Sequence, residues 1–181
     1  MSNEPAASTH KTLRNVASKH LERGAVTPGY SADRTEVLKQ LNQALATELV
    51  CVLRYRRHFF MARGIHARGV AAEFLTHSDE ELGHADRIAA RIVQLGGEPD
   101  FEPNELATRS HAEYVAGTSL ADMIREDLVA ERIAIDSYRN MVQYLGTDDP
   151  TTSDMLKEIL AVEEEHANDL ADLLEEFPGS E

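Results

Sequence analysis

Apolar residues recur at alternating spacings of three and four along four long stretches of the chain, near 34–63, 66–95, 119–145 and 150–176. That spacing is the signature of an amphipathic helix with one face turned to a core. The first seam reads Leu38, Leu41, Leu45, Glu48, Val52, Tyr55 and Phe59. The second reads Val70, Phe74, His77, Glu81, His84, Ile88, Ile92 and Leu95. The third runs Leu120, Ile124, Asp127, Glu131, Ala134, Tyr138, Met141 and Leu145, and the fourth Leu156, Ile159, Glu163, His166, Leu170, Leu173 and Phe177. Each apolar seam is broken near its middle by carboxylate or imidazole.

The punctuation between the stretches sets their connectivity. Gly64 predicts a helix stop, and Gly96-Gly97 followed by Pro99 closes the second helix. Ser119 with Asp122 has the form of a capping box, Gly146 ends the third helix, and Asp149-Pro150 supplies N-cap and first turn of the fourth. Two connections are short, which makes their helices antiparallel neighbours. The middle one, roughly 97–118, is long enough to run the length of the molecule, and a short helix is expected within it near 110–116. The expected architecture is an all-α antiparallel four-helix bundle over 34–177, with one long crossover between helices two and three. Residues 1–33 form a polar arm, helical around 11–23, and 178–181 a short tail.

The seam interruptions have a chemical reading. The midpoints of the four stretches fall near residues 48, 80, 132 and 163, so antiparallel packing brings Glu48, Glu81, Glu131 and Glu163 to one level. His84 and His166 each follow a Glu by three residues, about 60° around the helix and ~4.5 Å along it. Glu and His of such a pair therefore aim at one point. Four buried carboxylates repel one another and lack solvation unless protonated or neutralised. Two divalent cations remove that difficulty. Carboxylate and imidazole without thiolate suit iron, with manganese as the alternative, better than a closed structural zinc site. Glu81 and Glu163 are placed to bridge both ions, Glu48 and His84 to complete one, and Glu131 and His166 the other. The chain also repeats itself: Glu81-Leu-Gly-His84-Ala-Asp parallels Glu163-Glu-Glu-His166-Ala-Asn, and Tyr55 and Tyr138 each trail a Glu by seven residues. The tyrosines read either as hydrogen-bond donors to ligand carboxylates or as aromatic core. His77 and Asp127, one turn from ligands, are expected along a metal access path. His10, His20, His58, His66 and His111 read as surface or packing residues.

Composition narrows the rest. The 181 residues carry a net charge of −14 and a single cysteine, Cys51. A lone cysteine excludes an internal disulfide and a thiolate metal knot, and suits a cytoplasmic setting with Cys51 as a packing residue. The acidic balance argues against broad phosphate binding, and no stretch has the ~18 apolar residues of a membrane span. The first 32 residues carry Lys11, Arg14, Lys19 and Arg23 against Glu4 and Glu22, an excess too weak to argue for DNA binding.

On Glu48, Glu81-Leu-Gly-His84-Ala-Asp, Glu131 and Glu163-Glu-Glu-His166, residues 34–176 resemble the ferritin-like superfamily, most closely bacterioferritins and Dps-like mini-ferritins. The resemblance implies an intrasubunit di-iron ferroxidase centre formed by Glu48, Glu81, His84, Glu131, Glu163 and His166. There Fe(II) is oxidised by O₂ or H₂O₂ and stored as ferric mineral in a hollow homo-oligomeric shell. Leu82 stands where bacterioferritins carry a haem-binding Met, so no such haem is expected. No fifth helix follows the fourth, which favours a dodecameric mini-ferritin shell over a larger one. Bacterioferritins often place Asp just before each Glu-x-x-His; here those positions are Glu80 and Val162, so support of the two histidines should be unequal. Val50 and Leu53, read as outward-facing on helix one, are expected at a subunit contact. The rival readings are a di-manganese catalase or peroxidase without storage, and a DNA-protecting mini-ferritin.

Overall fold

The computed structural model describes residues 8–65 and 67–177. The start of the arm, His66 and the tail 178–181 lie outside the described residues. Among the described residues all regular structure is helical: α1 (Ser8–Ala17), α2 (Arg34–Met61), α3 (Ala67–Gln94), α4 (Leu106–Arg109), α5 (Leu120–Leu145) and α6 (Pro150–Glu175), with 3₁₀ turns at Leu21–Arg23 and Pro103–Glu105. The four long helices match the four patterned stretches to within two residues at each end. The arm helix begins earlier than its sequence suggests and stops at Ala17.

The caps explain the boundaries. Asp33 accepts hydrogen bonds from the Thr35 and Glu36 amides to open α2, and Ser119 accepts one from the Asp122 amide to open α5. Asp149 accepts from the Thr152 amide at 3.0 Å, with Pro150 as the first helical residue of α6. It also receives Tyr30 Oη at 2.9 Å and Arg91 Nη2 at 2.8 Å, and Arg91 Nε donates to Thr152 Oγ1 at 2.7 Å. One capping carboxylate thus ties the arm, α3 and the start of α6 together. At the same end of the bundle, the Gly97 amide donates to Ile92 O at 2.9 Å, and a Cβ on Gly97 would lie 2.5 Å from Leu38 Cδ2. Glycine there lets the chain cross the start of α2 closely.

α2 pairs with α3 and α5 with α6, and the two hairpins close face to face. The crossover is the main correction. Its helical turn is Leu106–Arg109, after Pro103–Glu105, and 110–119 is not helical. Glu102 caps the turn at the Asn104 amide. The following segment is held extended along α2 by side chains of that helix: the His111 amide donates to Thr47 Oγ1 at 2.9 Å, Arg54 Nη1 to Glu113 O at 3.1 Å, and Arg57 to Ala116 O. Val50 lies between Thr47 and Arg54 on this covered face and is buried, so it is not the outward residue expected from the seam; Leu53 is 56% exposed.

Two apolar clusters fill the bundle. One contains Leu41, Leu45, Ile88, Ile92, Leu145, Leu156 and Ile159; the other Cys51, Tyr55, Val70, Phe74, Ile124 and Leu170. Leu38, Val52, Phe59, Leu120, Leu173 and Phe177, at seam ends and edges, are only partly buried. Cys51 is a packing residue whose thiol burial pushes up in pKa. Between the clusters sits a polar layer.

Candidate metal centre

The layer holds Glu48 and Tyr55 from α2, Glu81 and His84 from α3, Glu131 and Tyr138 from α5, and Glu163 and His166 from α6, each at most 5% exposed. All six residues expected to act as ligands come together, in two overlapping groups. Ligand atoms of Glu48, Glu81, His84 and Glu163 lie within 4.8 Å of one another, as do those of Glu81, Glu131, Glu163 and His166. Glu81 and Glu163 are common to both groups. His84 Nδ1 stands 3.4 Å from Glu48 Oε2 and 3.0 Å from Glu163 Oε1. His166 Nδ1 stands 3.2 Å from Glu81 Oε1, 3.7 Å from Glu163 Oε2 and 3.9 Å from Glu131 Oε2.

These approaches do not have hydrogen-bond geometry. Glu48 Oε2, Glu81 Oε1, both Glu163 oxygens and Nδ1 of both histidines are buried with no hydrogen-bond partner. Such atoms are costly to bury unless something else satisfies them. Six of them aimed at one small volume, from a carboxylate and imidazole donor set, fit a pair of divalent cations. The proton balance agrees. Burial, then the charges of Glu163, Glu48 and Glu131, push Glu81 well above the usual carboxylate range. Glu163 is raised in the same way by burial, Glu48 and Glu131. Burial also opposes ionisation of Glu48, but the nearby Glu81 carboxyl and His84 imidazole, with the Tyr138 hydroxyl that donates to it, carry it below its ordinary value. The two carboxylates that most resist ionisation are the two common to both ligand groups.

The tyrosines are hydrogen-bond donors, and they cross between hairpins. Tyr55 on α2 donates to Glu131 Oε1 on α5, and Tyr138 on α5 donates to Glu48 Oε1 on α2. Each leaves the other carboxylate oxygen turned into the layer. Support of the histidines is unequal, as the Glu80 and Val162 positions imply. His166 Nε2 meets Glu80 Oε2 at 2.8 Å, whereas Val162 offers His84 no acceptor.

The two flanking polar residues differ in kind. His77 stacks on His166, ring centroids 4.0 Å apart, and its Nδ1 lies 3.3 Å from Tyr55 Oη. Burial, then His166, push its pKa down to about 3. Asp127 is fully buried and receives Arg54 Nε at 2.7 Å, with His58 Nδ1 also at 2.7 Å. It is a clamp between α5 and α2, not part of an access path, and His58 is a buried packing residue, one of the two roles expected for it. Arg54 is absent from the seam reading because a charge on a face lateral to the seam looks solvated until the crossover covers it. His10, His20 and His111 lie at exposed positions.

The fold and this layer define a ferritin-like carboxylate protein. The ferritin-like domain family matches residues 38–180, and the chain belongs to it. The bacterioferritin of Rhodobacter capsulatus is 28% identical over 134 residues, 74% of this chain and 79% of that protein. A bacterioferritin of Mycobacterium tuberculosis is 28% identical over 141 residues, 77% and 84% of the two chains. Among solved structures, a dodecameric, bacterioferritin-related thioferritin from Bacteroides fragilis aligns over 94% of both chains, with a TM-score of 0.77 and 29% identity. Dps from Staphylococcus aureus shares the fold, with a TM-score of 0.76 at 21% identity over 80% of this chain and 98% of its own. No helix among the described residues is long and apolar enough to cross a membrane.

Proposed function

We propose that this chain is an iron-storage protein that oxidises Fe(II) at the buried layer and deposits the ferric product inside a homo-oligomeric, dodecameric shell. Two Fe(II) ions enter as substrate. Glu48 and His84 hold one, Glu131 and His166 the other, and Glu81 and Glu163 lie between them. The observation that carries the reading is the set of six buried donor atoms without hydrogen-bond partners. Each Fe(II) gives one electron, so a pair reduces O₂ with two protons to H₂O₂, or H₂O₂ with two protons to two waters. Carboxylates suit that step because their charge offsets the extra positive charge of the ferric product. Tyr55 and Tyr138 fix the orientation of the terminal carboxylates, and Glu80 fixes the His166 ring.

The shell rests on the likeness to the dodecameric thioferritin and on exposed apolar groups toward the end of α2. Leu53, Phe60 and Met61 are 56%, 73% and 41% exposed, with Ile65 just beyond at 93%. A patch of this kind suits subunit contact.

Aerobic addition of Fe(II) to metal-free protein, followed by gel filtration with iron analysis, tests the reading. The expected result is rapid oxidation and iron far beyond two per chain co-eluting with a large assembly. Saturation at two ions per chain, with excess iron precipitating, would move the function to a redox enzyme without storage. Rapid O₂ release from H₂O₂ by the manganese-loaded protein would identify a catalase. Glu81→Ala should slow oxidation at least tenfold while the far-ultraviolet spectrum stays helical.

A further inference from the structure

We propose that Glu73, His77 and Asp169 form a third divalent-cation site beside the layer, from which ions pass to and from the position held by Glu131 and His166. Ligand atoms of the three residues lie within 4.8 Å of one another. His77 Nε2 is 3.7 Å from Glu73 Oε1 and 3.9 Å from Asp169 Oδ2. Both are too long for hydrogen bonds, but they suit donors sharing one ion, since ligands each about 2.1 Å from a cation stand some 3–4 Å apart. The side chain of His77 is 1% exposed, whereas those of Glu73 and Asp169 are 40% and 45% exposed. A cavity of about 190 Å³ opens over them and reaches His166. The arrangement is an imidazole at the floor and two carboxylates at the mouth.

Hydrogen-bond accounting shows which atom of His77 is free. The Tyr55 hydroxyl spends its proton on Glu131, so toward His77 it can only accept. Nδ1 must therefore carry the donated proton, and Nε2 of the neutral ring is left as a bare lone pair. That lone pair faces two carboxylates with no hydrogen-bond partner. Three electron-rich groups converging in this way are complementary to a cation. This is also the pattern by which an outer acceptor fixes the tautomer of a ligating imidazole.

The internal repeat isolates the feature. Aligning Glu81 and His84 with Glu163 and His166 places Glu73, His77 and Glu80 opposite Met155, Ile159 and Val162, and Asp169 opposite Arg87. The equivalent route on the His84 side is thus apolar, with an arginine at its mouth that pairs with Glu158 at 2.5 Å. Among the described residues, the carboxylate-lined cavity that reaches the layer does so at His166. The His166 half is therefore the loading side, a role that rests on the two-ion reading of the layer, whereas the site itself does not.

The test is anaerobic equilibrium dialysis of the intact protein against Co(II), with ions counted per chain, beside the double variant Glu73→Gln/Asp169→Asn. Both substituted side chains are substantially exposed and lie outside the layer, so the fold is retained. Three ions are expected in the intact protein and two in the variant. Crystals of the intact protein grown with Co(II) should show an anomalous peak within bonding distance of His77 Nε2. Aerobic Fe(II) oxidation by the variant should be several-fold slower at sub-stoichiometric iron. Equal counts in the two proteins, without that peak, overturn the third site. A shared count of two would do so while leaving the layer standing, and a shared count of zero would remove the two-ion reading as well.

Discussion

Tyr55 and Tyr138 each hold a carboxylate that belongs to the other hairpin, so the two halves of the layer are locked through hydroxyl groups. Tyr55→Phe keeps the ring packed against Phe74 and removes only the hydrogen bonds to Glu131 and His77. A hydrogen bond of this kind contributes on the order of 1 kcal/mol, more when the acceptor is charged. The expected outcome is an unchanged count of ions in the layer with oxidation slowed about 3- to 30-fold, measured by stopped-flow ferric absorbance. Loss of ions would instead make the tyrosine essential to affinity. The six layer residues were legible in the sequence because each interrupts an apolar seam at a matching height. The crossing of the tyrosines was not, because a repeat within one chain shows which residues are equivalent and not which hairpin they reach. Glu73 and Asp169 escaped for a different reason: both lie off the seams, and a half-exposed acid on a charge-rich helix looks solvated.

At the scale of elements, α2 carries two buried faces. The seam toward the bundle was legible from its apolar period. The second face, with Thr47, Arg54 and His58, is polar, and it is buried because the crossover lies over it. The same contacts explain the misplaced helical turn. His111, Glu113 and Ala116 spend backbone groups on α2 side chains, so the turn forms earlier, at Leu106–Arg109, where Arg109 pairs with Asp100 at 2.6 Å. Asp127 is the keystone of this clamp. Removing it leaves Arg54 buried without its counter-charge, which typically costs about 3–5 kcal/mol. Asp127→Ala should therefore lower the denaturation midpoint strongly in metal-free protein. Replacing both partners, as in Arg54→Met/Asp127→Leu, should recover much of that loss. A single variant as stable as the parent would show that the crossover is not anchored here.

For the whole molecule, metal and protons compete for one set of donors, and this sets how stability follows pH. Glu81 and Glu163 have pKa values raised well above 4.5 by burial and by neighbouring carboxylates. Above that value the unfolded chain has released protons that the fold still holds, so their contribution weakens as pH rises. His77 acts oppositely: lowered from 6.5 to about 3, chiefly by burial, it makes the fold more stable as pH climbs through 6.5, with only a small remainder above that value. From pH 6.5 to 8 the carboxylates therefore dominate, and each proton retained by the fold contributes a slope of up to about 1.4 kcal/mol per pH unit. The melting temperature of metal-free protein should fall by several degrees across that interval. Divalent ions replace those protons, so loaded protein should show a much flatter profile and a higher melting temperature throughout. Glu81→Gln, which keeps the shape and removes the titration, should flatten the metal-free profile. If the parent's own metal-free curve is flat or rising from pH 6.5 to 8, the layer does not retain protons in the fold, and its four carboxylates must be neutralised in some other way.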